Sequence, residues 1–543
     1  MANLIVSNGR MLGGTKSFRK YIRDPEYLDL PSLSNGDQKI YLLAKIHETS
    51  NFFRLKATAN YKIDWGDGQG EVSYSSGTNA DYEILYSNVS SAVTTGGYKQ
   101  AIITITPQTG ENLTYFQMGG GLLHPDDTTA NTGNIGIVDC KMAGQNITNL
   151  DDSFSSNYGL EQFKFVGTCI INSMLRTFYN AYCLEKVVQI DTSNVTTFYW
   201  CFRGAAKLLE VPKFDFSLAT TIEFMFYDCH SLEYLNPWSL DSDAPNITSL
   251  NSTFSRMSKL LICPITSCSN IANFNSTFHS HKWGGDFNLN CSSATIVTNM
   301  FGECVNLITC NAIFPNTLVN TFGMFDGCSL LESVKSFNCI NVLTSTLMFR
   351  GTARLKDLSH PDFDFRNSTA MTYMFINSGI SKSPPHLGGG NLSHFAQSTG
   401  RVKKWGVFHG TPSSSLTRSF LNNTSLEELP NIVINTTITT FSTVFDNMRS
   451  LVKIPTWDGS NITSCGNWFS SAYDLRESNI TGLTVSHTYQ NCSLGRPAIL
   501  NILSNLGTPV SGATVTLSNN PGSDEITSAD TNAVITAGWA VVL

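Results

Sequence analysis

Four groups of side chains have the residue types and spacing that site chemistry requires. Asp64 and Asp67 flank a glycine turn in Ile63-Asp64-Trp65-Gly66-Asp67-Gly68, where two carboxylates could hold Ca²⁺. The competing reading, which is favoured, has Asp67 capping the turn through its own backbone. His279-Ser280-His281 would put two imidazoles on one face of a strand, as Zn²⁺ asks, but no Cys or carboxylate follows at ligand spacing. Solvated histidines are expected there. Asp151-Asp152 has the composition of an acid/base pair, yet adjacent strand residues point to opposite faces, which rejects it. Residues 381–412 gather Arg401, Lys403, Lys404, Trp405 and Phe408 among prolines and glycines. Aromatic plus basic residues on a loop are typical partner anchors; the alternative is a degenerate repeat with ordinary surface charge.

No Gly-x-Ser-x-Gly elbow and no G-x-x-x-x-G-K-[ST] phosphate loop occurs. The acidic residues show no fixed register that would set a carboxylate cluster on one face. The expectation is therefore a protein that is not an enzyme and needs no cofactor and no metal. Charged residues make up only 14% of the chain, so Ser, Thr, Asn and Gly must supply the polar surface. A net charge of −7 with no long basic run argues against a nucleic-acid partner. The amino terminus lacks the layout of a signal peptide, and no stretch reaches the length of a membrane span.

The elements that would position these groups come from a repeat. Phe154, Phe178, Phe202 and Phe226 stand 24 residues apart. The series continues through Phe254, Phe278, Phe301, Phe325, Phe349 and Phe375, then resumes at Phe420, Phe445 and Phe469. The gap after Phe375 fits two coils with one degenerate anchor. Six residues after most anchors comes Leu, as at Leu160, Leu184, Leu307 and Leu475, and three further another apolar residue, as at Val187 and Val334. An Asn-aliphatic-Thr signature recurs at 146–148, 194–196, 246–248 and 461–463, so several of the formal glycosylation triplets are products of the repeat and say little about glycosylation. One unit of this length cannot bury its own apolar face; stacking units builds a continuous core. Cys229, Cys304 and Cys328 each follow an anchor by three residues, which predicts a stacked apolar ladder of free thiols rather than disulfides.

Asp191-Thr192-Ser193-Asn194-Val195-Thr196-Thr197 and Thr298-Asn299-Met300-Phe301-Gly302-Glu303-Cys304-Val305-Asn306-Leu307 carry a resemblance to BspA-like leucine-rich repeats. That resemblance covers about residues 130–500 and implies a solenoid used for surface binding. The Trp65-Gly66-Asp67-Gly68 turn followed by YKQAIITITPQTG resembles a PKD-like β-sandwich at the head of tailed-phage structural proteins. The end of the chain, with Asn520-Pro521-Gly522, a Thr527-x-x-Asp530 capping box and Gly538-Trp539, is similar to the tails of phage-encoded repeat proteins.

The fold expected is thus mainly β. An arm over 1–37 orders only against partners; a PKD-like sandwich spans 38–125, a solenoid 126–500 and a cap 501–543. The function implied is a phage virion structural protein, a tail- or capsid-associated fibre or decoration element that binds a host surface. The alternative is a cell-surface adhesin of a bacterium or protist. Partners would be other virion proteins and a host surface protein or glycan, without nucleic acid or membrane insertion, and with homo-oligomerisation open. The location implied is the virion, extracellular after release.

Overall fold

A computed structural model describes residues 18–49, 51–118, 136–282, 284–410, 416–432, 434, 436–441, 443–466, 468–469 and 472–543. The chain divides into two compact units, 1–283 and 284–543.

The first unit opens with β1 (Lys39–Ile46), β2 (Phe52–Thr58), β3 (Tyr61–Asp64), β4 (Glu71–Tyr74), β5 (Asn79–Glu83), β6 (Lys99–Pro107) and β7 (Tyr115–Gln117). β5, β2 and β7 form a small antiparallel sheet. The other four join β8 (Ile137–Ala143), β9 (Gln162–Phe165) and β10 (Lys186–Val187) in the order β10-β9-β8-β1-β6-β3-β4. β8 pairs antiparallel with β1 on one edge and parallel with β9 on the other, so the leading domain and the first coils share one sheet. Trp65, just past β3, is fully buried and stacks on Tyr82 of β5 at 4.8 Å, tying the two sheets together. The turn beside it requires glycine: Gly66 has φ +72°, and a Cβ there would meet the Ile102 carbonyl oxygen at 2.6 Å.

Residues 18–37 overturn the expectation of an arm that orders only against partners. Tyr27 and Leu30 pack with Leu43, Tyr98 and Val138 over the sheet. Arg23 pairs with Asp139 at 3.2 Å, the Tyr21 N–H donates to Glu210 at 2.9 Å, and Phe18 stacks on Tyr234 at 4.9 Å. The arm orders against its own chain: Leu43, on the face of β1 opposite Leu42 and Ala44, is buried in one cluster with Tyr27 and Leu30. Residues 1–17 lie outside the described residues.

The repeat has the same internal geometry in both units. Every anchor from Phe154 to Phe469 named above is fully buried. In the first unit Phe154, Phe178, Phe202 and Phe226 stack ring on ring at 5.2, 5.2 and 5.5 Å; in the second, Phe301, Phe325, Phe349 and Phe375 do so at 5.5, 5.7 and 5.8 Å. Each ring contributes on the order of 2 kcal/mol from apolar area removed from water. The anchor segment itself is neither helix nor strand. Met174, Arg176, Phe178 and Asn180 send their backbone N–H groups to Thr197, Tyr199, Cys201 and Arg203 of the next coil. Thr177, Tyr179 and Ala181 bond back three positions within their own coil, and the Leu175 N–H goes to the Asp151 carboxylate. This alternation satisfies the backbone without a regular element, and it needs two left-handed residues per coil. Arg176 (φ 52°) and Asn180 (φ 54°) supply them here, and Asp152 and Ser156, Ser252 and Arg256, Asn299 and Glu303 elsewhere. The Thr of the Asn-aliphatic-Thr signature is a ladder residue: both the N–H and Oγ1 of Thr196 bond the Asn172 carbonyl, and those of Thr220 bond Thr196.

All fourteen cysteines are free. The position three after the anchor is not, however, an apolar ladder. Cys229 Sγ donates to the Phe202 carbonyl at 3.1 Å and Cys328 Sγ to that of Phe301 at 3.0 Å. Thr352 and Asn423 occupy the same position, buried and bonded to anchor carbonyls. The column mixes such small polar groups, bonded to backbone oxygen, with buried apolar residues, Ala181, Ala205, Met257 and Met448 among them.

The last segment is not a separate cap starting at 501. A helix at Arg496–Ser504 straddles that boundary, and the strands His487–Thr488, Thr514–Thr516 and Ala540–Val542 pair in parallel, so the coils continue through it. Thr527 and Asp530 form the capping box of the Ser528–Thr536 helix.

His281 falls in the same column, three after Phe278, and is fully buried, which corrects the expectation of a solvated imidazole. Burial pushes its pKa down to about 3, and that of buried His487 to about 4. Both are neutral in the fold and bind protons once unfolded, so their stabilisation is complete above about pH 6.5 and is lost progressively as pH falls below it. His281→Cys, the residue its column holds elsewhere, should flatten the decline of urea-unfolding stability between pH 6.5 and 4 relative to the parent chain. An unchanged slope would contradict the burial argument.

Candidate binding surface

The basic-aromatic segment, described over residues 381–410, is a coil and not a protruding loop; residues 411 and 412 lie outside the described residues. Trp405 and Phe408 are only 3% and 8% exposed, and so are unavailable as partner anchors. The reason lies in the register. The residue at the anchor place of this coil is Ala396, since Phe375 N–H bonds the Phe395 carbonyl just as Phe349 N–H bonds that of Met374. Left-handed His394 and Ser398 flank Ala396 as Arg176 and Asn180 flank Phe178. The missing ring is replaced from two neighbouring columns. Phe395 lies 5.3 Å from Phe375, and Trp405 lies 5.4 Å from Phe375 and 5.1 Å from Phe395. Val402, fully buried six residues after Ala396, is the sequence signal that would have fixed this register.

The basic residues of that segment face outward. Arg401 is exposed, and Lys403 and Lys404 pair with Glu427 and Glu428 of the next coil at 2.8 and 2.6 Å. They belong to a ladder of charges along the parallel strands that includes Asp357–Lys382 and Lys453–Glu477. Lys382, with the hydroxyl and N–H of Ser359, holds the Asp357 carboxyl down at about 2. Paired charges of this kind set strand register more than they present a site. In the same segment His386 and His409 share a hydrogen bond at 3.0 Å across two coils.

The other sequence candidates are also occupied by the fold. Asp67 is buried, with one oxygen accepting the Gln69 N–H and the other the Tyr82 hydroxyl at 2.7 Å; Asp64 accepts the Gly66 N–H. Asp151 accepts the Ser173 hydroxyl and the Leu175 N–H, while Asp152 pairs with Arg176 at 2.7 Å. His279 bonds Ser280, and His281 is in the core. Among the described residues no three His, Cys, Asp or Glu side chains gather as metal ligands, and no helix is long and apolar enough to cross a membrane.

A different cluster emerges on the first unit. Tyr179, Tyr199, Trp200, Phe224 and Tyr227 lie partly exposed on the turn segments of three successive coils. Tyr199 and Tyr179 stack on Trp200 at 5.3 and 5.5 Å, and Trp200 meets Phe224 edge-on at 5.9 Å. The Arg203 guanidinium sits among them, 4.2 Å from the Trp200 ring, 5.0 Å from Tyr227, 5.7 Å from Phe224 and 5.8 Å from Tyr179. Sequence reasoning missed the cluster because its rings look like extra core residues. The signal was the shared register: Trp200 and Phe224 both stand two before their anchors in successive coils, with Arg203 one after Phe202.

Comparison with known proteins places this geometry in a family. The profile described as "Mycoplasma protein of unknown function, DUF285" matches residues 148–261, 248–384 and 414–492, more than half of the chain. The chain belongs to this family. Among solved structures, the DUF285 chain is similar to a leucine-rich repeat protein from Bacteroides ovatus, with 11% identity, a TM-score of 0.31, and coverage of 71% of this chain and 91% of that one. It is similar also to the plant peptide hormone receptor RGFR1 in complex with RGF2, with 10% identity, a TM-score of 0.14, and coverage of 73% and 79%. No curated protein matches it. The fold of this DUF285 chain is a mainly β, leucine-rich-repeat solenoid, as its own coils show.

The two halves of the 381–412 segment should separate on substitution. Trp405→Ala removes a ring from the core and should cost about 3–5 kcal/mol in urea unfolding. Lys403→Ala with Lys404→Ala should leave the unfolding midpoint within error. Equal effects would mean that the segment is not packed as described.

Proposed function

We propose that this chain is a non-catalytic surface-binding protein whose coils serve as a rigid frame for outward side chains. The observation that carries the reading is the aromatic cluster around Arg203, held across three coils by the same backbone ladder that builds the core. Trp, Tyr and Arg are the residues most enriched at binding hot spots, and a rigid backbone lowers the ordering cost of using them.

The finer reading is a structural protein of a tailed-phage particle, associated with tail or capsid and extracellular after release. Its support is the sequence resemblance of the Trp65-Gly66-Asp67-Gly68 domain and of the chain's end to phage proteins. A sheet shared between that domain and the first coils would make a stiff mount. A cell-surface adhesin is the second reading, and the description of its family from Mycoplasma, a cellular organism, favours it.

Mass spectrometry of purified particles and of protease-shaved cells from the source separates these. Stoichiometric recovery from particles supports the virion reading; recovery of surface peptides from uninfected cells supports the adhesin. Recovery only from the soluble interior of cells would refute both.

A further inference from the structure

Trp200 and Phe224 adopt left-handed backbone, with φ of 59° and 55°. Bulky side chains avoid this region, at a cost of roughly 1–2 kcal/mol per residue. The corresponding residues of other coils include Asp152, Ser252, Asn299 and Gly323, types that tolerate it, but also Leu347, Tyr373 and Thr443, so the coil itself imposes this backbone. What distinguishes Trp200 and Phe224 is that both place rings against one guanidinium. Arg203 also differs from the other arginines of these coils. Arg176 pairs with Asp152 and Arg256 with Asp228, whereas Arg203 forms no ion pair and no side-chain hydrogen bond with a described residue. Its planar fork is held by four rings and its donors remain unspent.

We propose that this cluster is a binding site for an acidic saccharide, with Trp200 and its neighbouring rings stacking on the C–H face of a sugar and Arg203 receiving the sugar carboxylate. The proposal rests on the surface-binding reading above and names its ligand class. Aromatic faces attract the polarised C–H bonds of a pyranose as they attract other positive edges. An oriented guanidinium with free donors selects a carboxylate in two-point geometry. The size fits: three coils at about 4.8 Å spacing span roughly 10 Å, the reach of two or three sugar units. A stable protein partner would cover about 800 Å² on each side. A nucleic-acid strand would need several cations in a row, and one arginine on a chain of net charge −7 does not supply them.

Isothermal titration of the full chain with trigalacturonate and 3′-sialyllactose, against maltotriose and lactose as their neutral counterparts, tests this. At least one acidic probe should bind roughly tenfold or more tighter than its counterpart, with the preference abolished in Arg203→Ala and reduced in Arg203→Lys. Trp200→Gly gives the second readout. Glycine accepts the left-handed backbone without strain, so this variant should lose the saccharide while melting no lower than the parent. Three results would each overturn the proposal: no binding of either acid, equal binding of acidic and neutral probes, or an unchanged preference in Arg203→Ala. A Trp200→Gly chain that melts lower would do the same, since the ring would then be serving the fold. Failure of the surface reading is seen separately, as recovery of the chain only from the cell interior while acid-sugar preference persists.

Discussion

The backbone ladder of the anchor segment is the constraint from which the rest of the coil follows. Four alternate N–H groups, those of Met174, Arg176, Phe178 and Asn180, point to the next coil; those of Thr177 and Tyr179 close turns within their own, and that of Leu175 goes to the Asp151 carboxylate. With every N–H spent in this way, the chain cannot wind into a helix or flatten into a strand. It must pass through the left-handed region twice, at Arg176 and Asn180. That geometry turns Phe178 inward, one coil spacing from Phe154 and Phe202, and the rings stack because the hydrogen bonds leave them no other register. The hydrophobic contribution is large, but direction and spacing come from the backbone.

The same constraint explains what could and could not be read from residues alone. The Phe-Leu spacing is legible because burial at fixed intervals demands apolar side chains, and each Leu six after an anchor, Leu160 and Leu475 among them, is fully buried. The degenerate coil was not legible in full. Its core volume is conserved while the identities move: Ala396 takes the anchor place and Phe395 and Trp405 fill the space. A search that follows Phe cannot see a ring supplied from another column. His281 was misread for a related reason, since His-Ser-His draws attention as a motif while its place three after Phe278 assigns it to a buried column. The arm was illegible because its partner surface, the second face of β1, exists only once β6 and β8 have paired with that strand.

Domain boundaries blur on the same physical grounds. A sheet edge exposes unpaired N–H and C=O groups, and pairing them is favourable whichever direction the neighbouring strand runs. β8 exploits this by accepting an antiparallel partner in β1 and a parallel one in β9. No hinge sequence is needed at such a seam, so composition carries no mark of it. The end of the chain behaves alike: the Arg496–Ser504 helix replaces part of a coil while the parallel strands beside it continue.

In a solenoid the places to look for binding are therefore not the breaks in the repeat. A break such as 381–412 still has to pass its backbone ladder on to the next coil, and it does so by recruiting its most prominent residues, Trp405 and Phe408, into the core. What remains outside is lysine paired with glutamate one coil away. Where the register is intact, the core is already satisfied by the anchor column, and an unusual residue at an outward position is surplus to folding. Trp200 and Phe224 are such residues, and together they set rings against the Arg203 guanidinium. In this fold an outward cluster of surplus side chains on regular coils carries more functional information than an interruption, because the core is complete without it.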